Sequence, residues 1–131
     1  MTEITDSYMR EQMGRTNPYS LVVLKPGPNY GTEGSERIVW EHGRRNFQLR
    51  ADGLLSIVVP VRESPELCGI GIFDTTTDEA TEIMSGDPGV QAGIFTFDVH
   101  QFLDQVLCAR GVQDDIADFG VQAVHVQDVA G

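Results

Sequence analysis

The chain is short of basic residues. Nine Lys and Arg stand against 20 Asp and Glu, a formal net charge of −11 over 131 residues. Affinity for DNA or RNA rests on cationic side chains neutralising phosphates, so no nucleic-acid partner is expected. Long apolar runs are missing as well. No stretch approaches the roughly 20 residues of a membrane helix, so no membrane partner is expected. The N-terminal "MTEITDSYMREQMGRTNPYS" is polar and lacks the apolar stretch of a signal peptide, which points to a cytoplasmic protein. Cysteine is scarce. Cys68 and Cys108 have no CxxC spacing and read as reduced, buried and structural. There is no GxSxG, P-loop or GxGxxG pattern, so serine-hydrolase and nucleotide-binding readings have no support. The three histidines show no HxH or HExxH spacing. A metal reading that joins His42 to His100 and Asp98 is therefore rejected. Asp114, Asp115 and Asp118 in "QDDIADF" lack the EF-hand spacing and its glycine, and read as solvated surface. No metal and no cofactor are expected.

What is present is a globular composition, 40% hydrophobic, in a chain long enough for one domain with a real core. Residues 1–17 have weak periodicity and read as a loose lead-in. "YSLVVLKP", 19–26, is rich in strand formers and ends at a proline. A glycine-bearing loop follows, and Ser35 with Glu36 marks a helix start. The first helix runs through "ERIVWEHGRRNFQLRADG". Its residues Ile38, His42 and Leu49 share one side, Trp40 and Phe47 form an apolar cluster on another, and Gly43 interrupts it. "LLSIVVPV", 54–61, is the second strand and "LCGIGIFD", 67–74, the third. Thr76 with Glu79 has the capping-box spacing, and Ala80, Ile83 and Met84 form the stripe of a second amphipathic helix that Gly86 ends. "IFTFDVHQF" is the fourth strand, with Phe95, Phe97 and Val99 on one face and Thr96, Asp98 and His100 on the other.

The order strand, helix, strand, strand, helix, strand is the split βαβ pattern of an α+β, ferredoxin-like βαββαβ fold with an antiparallel sheet. The domain is expected over 18–103, with 104–131 as a C-terminal extension. Two helices cover only one face of such a sheet. The alternation of the second strand puts Leu55, Ile57, Val59 and Val61 on one face and Leu54 and Val58 on the other, so both faces are apolar. A second copy of the chain, sheet against sheet, is the expected cover, and the C-terminal tail is the alternative.

Residues 19–102 resemble the YciI-like (YCII-related) proteins of the dimeric α+β barrel superfamily. The likeness rests on "HGRRNFQLRADG", in which His42 is followed eleven residues later by Gly53. It rests also on "LLSIVVP", and on "TTTDEATEIMSGDPGVQAG" with its Asp87-Pro88 and later glycine. Val59 stands before Pro60 where the family often has glycine, which implies a smaller or differently shaped pocket. The resemblance implies a homodimer and a site that includes His42 and Asp87. It also implies that most members have no assigned activity, while a few related proteins act on ring compounds by dehydrochlorination of hydroxyquinones or lactone isomerisation.

His42 has two readings, a half-buried structural histidine or a general acid–base whose ordinary pKa of about 6.5 suits proton transfer. Asp87 also has two. It is an N-cap with Pro88 at the first position of the helical turn "PGVQ", or a carboxylate that also orients the imidazole. Lys25, at the end of the first strand, is a holder of an anionic ligand or a solvated strand end. Tyr30 is a pocket wall or surface. Gly69 and Gly71 make room for a ligand or for close packing. The ligand-binding expectation thus names Lys25, Tyr30 and Pro88, and the catalytic one His42 and Asp87. Two functions follow. One is a metal-free lyase- or isomerase-type enzyme acting on a small organic ligand through His42 and Asp87. The other is a non-catalytic dimeric module that binds a metabolite or partner.

Overall fold

The computed structural model describes residues 1–15 and 17–103. Cys108 and the acidic cluster of Asp114, Asp115 and Asp118 lie outside them. Pro18–Phe102 forms one compact unit, and the described residues before Pro18 belong to another. That leading segment is not loose. It holds the helix α1, Asp6–Met13. Thr5 caps it by accepting from the Tyr8 amide at 3.2 Å, and Asp6 sits in the positive first turn. The helix buries none of its residues, which is why apolar periodicity did not announce it.

In the Pro18–Phe102 unit the order is β1 (Pro18–Pro26), α2 (Ser35–Ala51), β2 (Leu55–Pro60), β3 (Gly69–Phe73), α3 (Thr77–Ser85), α4 (Pro88–Gln91) and β4 (Phe95–Leu103). The sheet order is β2-β3-β1-β4. β3 runs antiparallel to both β1 and β2, and the whole is compatible with a ferredoxin-like fold. Among the described residues no helix is long and apolar enough to cross a membrane.

The caps are local and legible. Gly34 precedes α2 with a φ of 82°, a left-handed conformation that glycine adopts without a Cβ penalty. Thr76 accepts from the Glu79 amide at 3.1 Å and starts α3 as its capping-box spacing predicts. Asp87 starts α4, with Pro88 at a position whose missing N–H is no loss. Gly27 permits the tightest backbone approach. Its amide donates to the Ile94 carbonyl at 2.7 Å, and a Cβ there would overlap the Gly93 carbonyl.

One face of the sheet carries the core. Val22 and Leu24 of β1, Leu55 and Phe73 pack with Leu49 of α2, Ala80 and Met84 of α3, and Ile94 and Phe95. Gly69 and Gly71 pair with Leu24 and Val22 on that face. A Cβ on Gly71 would touch Phe73 and Leu55 at 3.3 and 3.4 Å, so close packing takes this space rather than a ligand. β2 departs from simple alternation. A register shift between Leu55 and Ile57 leaves Leu55 opposite Phe73 but sets Ile57 opposite Ile72. Leu55 and Ile57 therefore face opposite ways, and Ile57 and Val59 join Ile72 and Ile70 on the face away from α2 and α3.

Candidate functional site

α2 brings His42 to the end of α3, where the chain turns through Gly86 and Asp87 into α4. His42 Nδ1 lies 2.8 Å from Asp87 Oδ1. The Asp87 side chain is 1% exposed and that of His42 12%, so water competes little for this contact. The second carboxylate oxygen is used differently. Oδ2 accepts from the amides of Gly89 at 2.9 Å and Val90 at 3.1 Å, the two donors freed at the start of α4. The two sequence readings of Asp87 coexist because its two oxygens divide the work.

The other ring nitrogen is also engaged. Asn46, one turn after His42 on α2, sets its amide nitrogen 3.2 Å from Nε2. An ionised Asp87 only accepts, so Nδ1 carries the hydrogen toward it. In the neutral ring Nε2 then holds the lone pair, and the Asn46 N–H donates to it. One tautomer satisfies both contacts.

Arg45 approaches from the same helix. Its Nη1 is 3.9 Å from Asp87 Oδ1, close enough for charge attraction and too far for a hydrogen bond. Nη1 is buried without a hydrogen-bond partner. The guanidinium thus offsets the cost of burying the Asp87 charge without taking the oxygen that His42 uses.

Phe95, at the start of β4, closes one side. Its ring centroid lies 4.8 Å from that of His42, tilted by 48°. Tyr30 continues the aromatic wall at 6.0 Å from Phe95. Electrostatic interaction with Cys68, then burial, raise the Tyr30 phenol above its ordinary value. Burial pushes the Cys68 thiol up, and the Tyr30 hydroxyl offsets part of this. Cys68 is free and half-buried.

His42, Asp87 and Tyr30, singled out in the sequence, are thus joined directly or through Phe95, and Pro88 follows Asp87 as the first residue of α4. Lys25 is not with them. It pairs with Asp98 on the sheet face opposite Val22 and Leu24, so its charge is matched and turned away from the imidazole. The side chains missed were Asn46, Arg45 and Phe95. Asn46 and Arg45 stand four and three residues beyond His42 and so share its side of the helix, a signal that helical spacing carries. A separate cleft of about 360 Å³ is lined by Pro18, Ser20, Asp74, Thr76, Glu79 and Gln101 among others. None of the five residues singled out lines it.

No family model matches the chain, and no curated protein matches it.

Proposed function

We propose that the protein is a YciI-like small-molecule enzyme of lyase or isomerase type, working as a sheet-to-sheet homodimer with His42 as its acid–base group. The 2.8 Å contact between His42 Nδ1 and Asp87 Oδ1 carries this reading. A carboxylate on Nδ1 fixes the tautomer that leaves the Nε2 lone pair free to take a proton, and it stabilises the imidazolium that forms. A substrate C–H or O–H would displace the Asn46 amide from Nε2, and its flat or apolar part would lie along Phe95 and Tyr30. The dimer is supported by the second sheet face. Leu21, Val23, Ile57, Ile70 and Ile72 are only half-buried there, and Val59 is 45% exposed.

Proton abstraction is testable before the substrate is known. Cyclic carbonyl and halogenated ring compounds found to bind by ligand-observed NMR are incubated with the protein in D2O. Wild type should catalyse C–H exchange or elimination on a bound compound, and His42→Gln should bind it without either. A second reading has its own observation in its favour. The Asn46 amide already occupies Nε2, as it would around a purely structural histidine. Binding without exchange or turnover by wild type, unchanged in His42→Gln, assigns the protein to that non-catalytic module.

A further inference from the structure

The outer face of α2 carries a pattern that the site does not use. Trp40 is 66% exposed, Phe47 38% and Val39 37%. Gly43 lies among them in mid-helix, where glycine costs about 1 kcal/mol relative to alanine. Among the described residues nothing requires it: a Cβ built there meets none of their atoms within 4 Å, and the φ at Gly43 is not one that needs glycine. An exposed aromatic stripe around an unexplained glycine is suited to close approach of another helix, since the missing side chain lets two backbones come together.

The stripe is also a palindrome about Gly43. Val39 and Phe47 are each four residues from it, and Glu36 and Arg50 each seven. Together with Trp40 these residues span about 100° of the helix circumference at 3.6 residues per turn. The row Val39, Gly43, Phe47 steps by four, the commonest ridge in helix packing. A two-fold axis through Gly43 makes such a surface self-complementary, because isologous contacts pair residue i with j and j with i. It sets Val39 against Phe47 of a second copy, and Gly43 against itself with Trp40 packed beside it. It also sets the acidic first turn at Glu36 against the basic last turn at Arg50, a half-buried guanidinium that donates to the Ser56 carbonyl at 3.2 Å. Antiparallel alignment opposes the helix dipoles favourably as well.

We infer that the outer face of α2 is a two-fold docking surface for a second copy of this chain, with the α2 helices antiparallel and crossing at Gly43. The surface is separate from the sheet face and does not depend on it. The 17-residue helix is about 25 Å long, so one helix pair makes an interface at the small end of the range. Association through it is therefore concentration-dependent.

Trp40 is the only tryptophan of the chain, so intrinsic fluorescence reports this surface alone. The experiment follows mass by sedimentation velocity and Trp40 emission over a dilution series of the full chain. Wild type should lose mass twofold on dilution as its emission shifts to the red. Gly43→Arg, which fills open space within its own chain, should keep the far-ultraviolet dichroism, halve the mass at high concentration and fix the red-shifted emission. Glu36→Arg should weaken association, and adding Arg50→Glu should restore it. A wild type with solvent-exposed emission at every concentration overturns the inference. So does a blue-shifted emission that neither dilution nor Gly43→Arg changes, since the chain itself then covers Trp40. Association that survives Gly43→Arg and the Glu36→Arg swap but not Ile57→Lys belongs to the sheet face and also overturns it.

Discussion

Phe95 fills the space that any side chain on Gly89 would need. A Cβ at Gly89 would lie 2.5 Å from Phe95 Cδ2 and 3.0 Å from Asp87 Oδ2. Gly89 also gives its amide to that oxygen. The absence of a side chain at one position thus holds the carboxylate, the ring and, through the ring, the imidazole in register.

Gly89→Ala should therefore disturb the site and the core together. Phe95 is 6% exposed and packs within the core. Overpacking of this kind costs about 1–3 kcal/mol. Chemical denaturation should show that loss, and the His42 ring protons should shift because Phe95 no longer stacks at its present tilt. A variant as stable as wild type, with His42 resonances unmoved, would contradict the packing described.

Thr76→Ala should cost about 1 kcal/mol by removing the cap of α3. The loss belongs to the helix start, so His42 resonances should stay where they are. A matching change at His42 would mean that the cap and the site are one cooperative unit.

Much of this was readable from the chain, for identifiable reasons. The caps at Thr76 and Asp87 rest on bonds within three residues, so sequence spacing encodes them. His42 and Asp87 are 45 residues apart, and their meeting was expected from the split βαβ order and from the side of α2 that His42 occupies. The bulge in β2 was not readable. Leu55, Ile57 and Val59 alternate in sequence, and only pairing with β3 reveals the extra residue. The pairing of Lys25 was not readable for a similar reason. Its partner Asp98 is on β4, and one-residue alternation on β1 decides which face it takes.

The pair of Lys25 and Asp98 gives a pH dependence with a definite sign. A hydrogen bond and then charge attraction from Lys25 hold the Asp98 carboxyl below its ordinary value. A lowered folded-state value means that the contribution is present above the unfolded value and is lost as pH falls through the folded one. The carboxyl resonance of Asp98 should titrate lower in wild type than in Lys25→Met. Both residues are about half exposed, so at neutral pH Lys25→Met should barely change stability. An unaltered Asp98 titration would remove the pair.

Ile57→Lys should place a charge on the apolar sheet face beside Ile72. If two copies meet there, sedimentation should show a twofold fall in mass for this variant with its far-ultraviolet dichroism kept. Wild-type association through that face is ruled out if Ile57→Lys assembles as wild type does.

The division of labour at Asp87 has the most direct test in the tautomer of His42. Long-range ¹H–¹⁵N correlation distinguishes a protonated Nδ1 from a protonated Nε2 at a pH where the ring is neutral. Wild type should show the hydrogen on Nδ1, donated to Asp87 Oδ1, with Nε2 accepting from Asn46. In Asp87→Asn the side-chain oxygen should keep the cap on Gly89 and Val90, as Asn is an equally good capping residue. Its NH2 group then faces Nδ1 and donates to it, which drives the ring hydrogen to Nε2. The expected result is a switch of tautomer with the helix turn at α4 preserved. The same tautomer in both proteins, or a hydrogen on Nε2 in wild type, would reduce Asp87 to a cap and leave His42 without its oriented base.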